Sequence, residues 1–243
     1  MNLFFAHMAS GNSLYSGVLL VLAGMGLELW GRDSRSLRMA SRVIVVIGVA
    51  AIVASSVPQP IWLLMTWLLS LLLWRLSFNS SLGRDTTTVN TTRIVFLVIT
   101  VIVLSLEIPS VYDPPPLSSK PDNMVIIGDS LTAGTARLDP EDRWPKRYES
   151  RYGVSVRTVA GPGWRISDAA EWISKHPLPE GVDFVVIVLG GNDVLKETPT
   201  EKYRKGLDLL LSRVKRRDVP TYMMELPLSP LANRYGRIQR NLA

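Results

Sequence analysis

Four apolar runs, Leu14–Trp30, Val43–Val57, Ile61–Trp74 and Ile94–Leu106, fill the first half of the 243-residue chain and limit what it can become. A helix of a water-soluble bundle carries a polar stripe at helical spacing, and these runs are apolar on every side. Hydrocarbon suits such surfaces better than water, and there each backbone N–H and C=O must be satisfied within the segment, so the runs must be helices. Each is a little shorter than the roughly 20 residues that cross a bilayer, but flanking Ser, Thr and Pro residues extend all four. Trp30, Trp62 and Trp74 fall near run ends, where amphipathic rings gather at the membrane–water interface. The expectation is an α-helical membrane domain of four spans over residues 1–107. Glu28 and Glu107, near span ends, are expected to reach out to the interface.

The basic residues orient this domain. Arg32, Arg35, Arg38 and Arg42 follow the first run, and Arg75, Arg84 and Arg93 precede the fourth, whereas the N-terminus and the Val57-Pro-Gln-Pro60 turn carry no basic residue. Lys and Arg in excess mark cytoplasmic loops, so both chain termini should face away from the cytoplasm. The reading is a multi-pass protein of a bacterial-type cytoplasmic membrane with its second half on the extracytoplasmic side. The N-terminus lacks the basic region of a cleavable signal peptide, so the first run is expected to stay as a span.

Residues 113–243 are of another kind, with twenty Lys+Arg and seventeen Asp+Glu against seven and four in residues 1–112. The net charge of +6 is shared equally between the halves, and aromatic residues do not interleave with the basic ones. No nucleic-acid partner is implied. The chain has no cysteine, which excludes disulfides, thiol catalysis and cysteine-ligated metal. Between the halves, residues 108–123 contain Pro109, Pro114, Pro115, Pro116 and Pro121, a density that predicts an extended, semi-rigid linker.

Residues 124–243 read as alternating strands and helices. Met124-Val-Ile-Ile-Gly-Asp-Ser-Leu-Thr-Ala-Gly134 is a buried strand that stops at Gly128 and passes into a polar turn carrying Ser130. Phe184-Val-Val-Ile-Val-Leu-Gly-Gly-Asn-Asp193 repeats the design. Further strands are expected at Gly153–Ala160 and Thr221–Leu226, with the third at Val182–Leu189, and helices at Pro140–Tyr152, Ser167–His176 and Thr198–Arg217. Tyr203, Leu207, Leu210, Leu211 and Val214 form one apolar stripe on the last helix. Such alternation predicts right-handed crossovers and a three-layer α/β domain with a parallel sheet. Ser130 and Asn192 then share the carboxyl edge of that sheet, where ligands bind. On the first stretch alone, Ser130 reads equally well as a helix cap.

Gly128-Asp129-Ser130-Leu131 followed by Gly190-Gly191-Asn192-Asp193 resembles the first and third sequence blocks of the SGNH hydrolases, the GDSL esterases and lipases. The resemblance implies an SGNH/flavodoxin-like fold and ester hydrolysis through an acyl-enzyme, with no metal or organic cofactor. It makes Ser130 the nucleophile and gives the oxyanion three donors: the Ser130 N–H, the Gly163 N–H and the Asn192 side-chain amide. Gly161 is the alternative to Gly163, because Gly161-Pro162-Gly163 is spaced differently from the family's second block. Gly128, Asp129, Gly191 and Asp193 are supporting residues, the two carboxylates ordering loops by accepting backbone N–H bonds. Trp144, Trp164 and Arg165 fall on loops that would shape substrate choice.

The family places an aspartate and a histidine, three residues apart, in a final block, and the sequence reaches Ala243 without one. Its histidines are His7, before the first run, and His176, which falls at the amino edge of the sheet; both read as solvated loop residues. The domain therefore reads as incomplete, with hydrolysis severely impaired, since nucleophile and base act as a unit. The leading expectation is a membrane-anchored esterase acting on a small ester, a lipid or an acylated glycan of the cell envelope. The alternatives are an O-acyltransferase or deacetylase of envelope polysaccharide, the former with a membrane-protein partner, and a non-catalytic remnant that binds its ligand.

Overall fold

A computed structural model describes all residues except 1–2, 32–33, 80–85, 112–120, 135–138, 216–218, 229–232 and 243. The chain divides into two compact units, residues 1–113 with 227–233 and residues 114–226 with 234–243.

The first unit contains helices α1 (Leu3–Ala9), α2 (Asn12–Trp30), α3 (Arg35–Ala54), α4 (Ile61–Asn79) and α5 (Thr86–Val111). Three of them, α2, α3 and the Val89–Ile108 part of α5, are long and apolar enough to cross a membrane. The expected fourth span falls short: the apolar stretch of α4 is Ile61–Ser77, a rise of about 25 Å against a hydrocarbon core of about 30 Å. The unit has an inverted polarity. Val46, Ile47, Leu69, Leu72, Val98 and Val101 are exposed, while Ser13, Ser41, Ser70, Thr100 and Glu107 are buried. Such a surface suits lipid.

Small residues let α2 and α3 pack closely, with Gly17 set against the Gly48 carbonyl and Gly24 against Val45 and Ser41. On the other helix pair, Trp67 Nε1 donates to Thr100 Oγ1 (2.9 Å), and Phe96 lies between the Trp67 and Trp74 rings, with centroids at 5.6 and 5.4 Å. Glu28, near the end of α2, is engaged by an ion pair, accepting from Arg75 at 2.6 Å and tying α2 to α4. Two expectations are corrected here. Glu107 is 4% exposed and turns into the unit, because neighbouring helices offer it surroundings that lipid does not. The linker expected from residue 108 also starts later. Helix α5 runs through Pro109 to Val111, since a proline in a terminal turn removes only one helical hydrogen bond; Pro114–Pro116 lie outside the described residues.

The second unit contains β1 (Asn123–Gly128), α6 (Ser130–Ala133), a 3-10 turn at Pro140–Asp142, α7 (Trp144–Tyr152), β2 (Ser155–Ala160), α8 (Ile166–Lys175), β3 (Phe184–Val188), α9 (Gly191–Leu195), α10 (Thr200–Lys215), β4 (Thr221–Met223) and α11 (Arg234–Leu242). The four strands form one parallel sheet in the order β2-β1-β3-β4. Alternate residues of each strand point to opposite faces. Met124 and Ile126 pack with Phe184, Val186 and Tyr148 of α7. Val125, Ile127, Val185 and Ile187, all but inaccessible, face the other way, where right-handed crossovers carry α8 and α10. Each such side chain contributes about 1.5–3 kcal/mol by leaving water. The expected stripe Tyr203, Leu207, Leu210, Leu211 and Val214 is the buried face of α10.

The chain winds from β1 outward to β2, then returns past β1 to β3 and β4. The reversal lies between β1 and β3, and a crevice opens at the carboxyl ends of two strands whose connections diverge. Register puts Gly128 beside both Ala160 and Val188, so the loops that follow β1, β2 and β3 leave the sheet as neighbours. At the opposite edge, the Asp183 carboxylate accepts from the backbone N–H groups of Asp122 (2.7 Å) and Asn123 (2.8 Å) and fixes the start of β1. Strand β4 is shorter than expected, ending at Met223.

Candidate active site

The loop after β1 is built to hold Ser130 at the sheet edge. The side chain of Thr132 returns over Gly128 and fills the space that a Cβ would need. The Asp129 side chain caps α6, accepting from Leu131 N–H at 2.9 Å. Capping is thus the work of Asp129, and Ser130 opens the helix. Among the described residues, neither its hydroxyl nor its backbone N–H is engaged in a hydrogen bond.

The loop after β2 is a tight turn. Trp164 N–H donates to Gly161 O (3.2 Å), Pro162 takes the first central position and Gly163 the second, with φ +74°. That is the pattern of a type II turn, in which glycine suits the left-handed second position. The Trp164 indole covers Gly161, leaving no room for a side chain there, whereas a Cβ on Gly163 would meet only Lys196 Nζ, at 3.9 Å. Gly161 is buried and Gly163 half-buried. The Gly163 N–H makes no hydrogen bond among the described residues.

The loop after β3 ties the other two together. Gly191 opens α9, and Asn192 on its first turn donates from Nδ2 to Asp129 Oδ2 (3.3 Å) and to Trp164 O (3.0 Å). One side chain thereby bridges the Ser130 turn and the Gly163 turn. Asp193, 1% exposed, accepts from Ile166 N–H at 3.0 Å and anchors the start of α8. Burial pushes its carboxyl above the usual range, against the pull of the Ile166 N–H and of Arg165. Lys196, which ends α9, donates from Nζ to Gly163 O (3.2 Å).

Support also comes from α11. Gln239 Oε1 accepts from Leu226 N–H (3.2 Å), its Nε2 donates to Leu189 O (3.4 Å), and Tyr235 OH donates to Thr198 O (2.7 Å), bracing both ends of the loop that carries Asn192. Neither Lys196 nor Gln239 stood out in the sequence. The available signal for Lys196 was its position four residues, about one helical turn, after Asn192.

Of the other residues singled out, Trp144 starts α7 and is 38% exposed, and Arg165 precedes α8, its N–H donating to Asp168 Oδ2 at 2.9 Å. His176 caps the carboxyl end of α8, stacked on Trp172 with centroids 4.4 Å apart and with Nδ1 3.1 Å from Trp172 O. Helix α8 runs ten residues away from the Ser130 edge before reaching it, a descent of about 15 Å. His7 lies in the first unit, hydrogen-bonded to Ser16 at 2.9 Å. Among the described residues, no three His, Asp or Glu side chains gather where they could hold a metal ion.

Residues 126–243 match the model of the GDSL-like lipase/acylhydrolase family. Solved structures of similar fold include AlinE4, an SGNH-hydrolase family esterase, 24% identical over 51% of this chain and 72% of that one, with a TM-score of 0.44. The psychrotrophic esterase EstA from Pseudoalteromonas sp. is 21% identical over 50% and 73%, also at 0.44. The acetyl xylan esterase AlAXEase is 19% identical over 50% and 72%, at 0.40. No curated protein sequence matches the chain. With its parallel sheet and its paired Gly-Asp-Ser-Leu and Gly-Asn-Asp loops, the segment from residue 126 to residue 243 is a GDSL-like lipase/acylhydrolase domain by its match to that family's model.

Proposed function

We propose that the chain is a membrane-anchored serine esterase in which Ser130 attacks the ester carbonyl. The observation that carries this reading is the bridge made by Asn192, which ties the turn carrying the unengaged Ser130 hydroxyl and N–H to the turn carrying the unengaged Gly163 N–H. In the reaction the Ser130 oxygen bonds to the carbonyl carbon, and the carbonyl oxygen becomes an oxyanion facing the Ser130 N–H, the Gly163 N–H and the Asn192 amide. The two backbone N–H groups, fixed in advance, stabilise that charge without reorganisation. The alcohol then leaves with the proton that the Ser130 hydroxyl gave up, and water releases the acid from the acyl-enzyme and returns a proton to Ser130.

The helices of the first unit supply the anchor. Arg35, Arg38 and Arg42 follow α2, and the Arg75–Glu28 ion pair brings the end of α4 level with the end of α2. Although its apolar stretch is shorter than a full span, helix α4 runs back toward the side where α2 ended, and the basic segments there favour the cytoplasm. Helix α5 leading out again supports a reading in which the esterase domain lies on the extracytoplasmic side. Esters within reach are those of lipids and of acylated envelope glycans.

A second reading, a domain that binds its ligand without turnover, is favoured by one observation: His176 is held against Trp172 at the far edge, where it cannot take the Ser130 proton. The two separate on treatment of the whole detergent-purified chain with a fluorescent fluorophosphonate. Covalent labelling that disappears in Ser130→Ala supports the esterase; no labelling of a folded protein supports the binding domain.

A further inference from the structure

We propose that Lys196 is a positioning residue for the oxyanion site, a role that rests on the esterase reading. Three side chains of the β3–α9 loop reach the loop after β2: Asn192 to Trp164 O at 3.0 Å, Asp193 to Ile166 N–H at 3.0 Å and Lys196 to Gly163 O at 3.2 Å. Asn192 and Lys196 stand one helical turn apart, on the same face of α9, and so they grip two consecutive carbonyls. Lys196 holds the glycine whose N–H faces the oxyanion.

The two grips differ in what the reaction asks of them. The Asn192 amide carries two N–H groups, and both are engaged, with Asp129 Oδ2 and with Trp164 O. To serve an oxyanion it must release one of them. If it releases Trp164, the turn loses that tie at the moment when the Gly163 N–H must stay aligned. The lysine, with Nζ on Gly163 O, can hold the turn throughout. Gly163 has φ +74° and a Cβ there would meet only Lys196 Nζ, so within the turn it is the Trp164 N–H to Gly161 O bond at 3.2 Å that resists rotation of the Gly163–Trp164 peptide, to which the peptide bearing the Gly163 N–H is joined. A cation is the stronger donor for this task, because a charge-assisted hydrogen bond exceeds a neutral one.

The test compares Lys196→Met, which keeps the aliphatic stem and loses the ammonium, with Lys196→Arg, which keeps a cation of similar reach. Both are made in the whole chain in detergent. The rate of fluorophosphonate labelling of Ser130 and the kcat and KM for p-nitrophenyl acetate are read beside the thermal unfolding midpoint. Expected for Lys196→Met is a fall of about tenfold in labelling rate and kcat, less than the hundredfold or more from removing an oxyanion donor outright, with KM and midpoint unchanged. Lys196→Arg should recover most of the rate. A Lys196→Met protein labelled at the wild-type rate overturns the proposal, as does Lys196→Arg being as slow as Lys196→Met. So does loss of the fold in Lys196→Met, which would make the lysine a structural residue only. Absence of labelling in the wild type overturns the esterase reading itself, and this role with it.

Discussion

The amide of Asn192 donates to the carboxylate of Asp129 across 3.3 Å, joining residues 63 positions apart in the sequence. The contact explains why an aspartate should stand beside the serine. One oxygen of Asp129 caps the helix that Ser130 opens, and the other holds Asn192 on α9, after the neighbouring strand β3.

Two substitutions of Asp129 should therefore separate its functions. Asp129→Ala removes both acceptors from a buried position, and the domain should lose about 1–3 kcal/mol while Ser130 labelling slows. Asp129→Asn keeps an oxygen for Leu131 N–H but turns an NH2 toward the Asn192 amide, donor against donor. It should retain more stability than Asp129→Ala and yet label as slowly. Thermal unfolding and labelling rates of the whole chain check both.

The two glycines of the second loop should respond differently to alanine. At Gly163 the new methyl meets nothing nearer than Lys196 Nζ at 3.9 Å, but φ is +74°, so Gly163→Ala should cost about 1 kcal/mol of backbone strain. At Gly161 the methyl would fall 2.2 Å from Trp164 Nε1. Gly161→Ala must drive the indole off, which should appear as a red shift of tryptophan emission that Gly163→Ala does not show.

Asp193 predicts a dependence on pH. Burial raises its carboxyl above the ordinary value of 3.8, so the folded chain holds that proton more tightly than the unfolded chain does. Where the folded state binds more protons, stability falls as pH rises, here from about 3.8 up to the raised value. Other carboxylates titrate in the same window with the opposite sign; burial-driven Asp193 is isolated by difference. The wild type minus Asp193→Asn stability curve should slope downward just above pH 3.8 and level off beyond, and a flat difference would contradict the assignment.

What could be read in advance had a physical basis in local pattern. Buried four- and five-residue runs such as Met124–Ile127 and Phe184–Val188 admit few structures other than central parallel strands, and the order of strands and helices then fixes which edge carries Ser130 and Asn192. Span number was harder, because the third run, Ile61–Trp74, is as apolar as the others and its helix falls short of a span only in the length of its apolar stretch. Glu107 was misjudged since its burial depends on neighbouring helices that no local pattern reports. Within the site, the Asn192 and Asp129 side chains meet through tertiary packing alone. Lys196 and Gln239 act on carbonyls and N–H groups of distant loops, and backbone groups leave no residue type in a sequence to point to them.

The packing of α2 on α3 yields the last prediction. A Cβ on Gly17 would fall 2.7 Å from Gly48 O, and one on Gly48 would fall 2.7 Å from Gly17 O, so each glycine touches the backbone of the facing helix. Backbone cannot swing aside as a side chain can, and even a methyl must push the helices apart. In lipid, where close van der Waals contact rather than water exclusion holds helices together, that separation removes the main attraction. Gly48→Ala should destabilise the first unit by about 1–3 kcal/mol, the range for overpacking a tight interior. Gly26 on the same α2 provides the control, because a Cβ there meets nothing within 4 Å. Gly26→Ala should be neutral or stabilise the helix by up to about 1 kcal/mol. Helicity followed during titration of the detergent-solubilised chain with sodium dodecyl sulfate measures both; equal effects at Gly48 and Gly26 would mean that α2 and α3 are not in contact through these glycines.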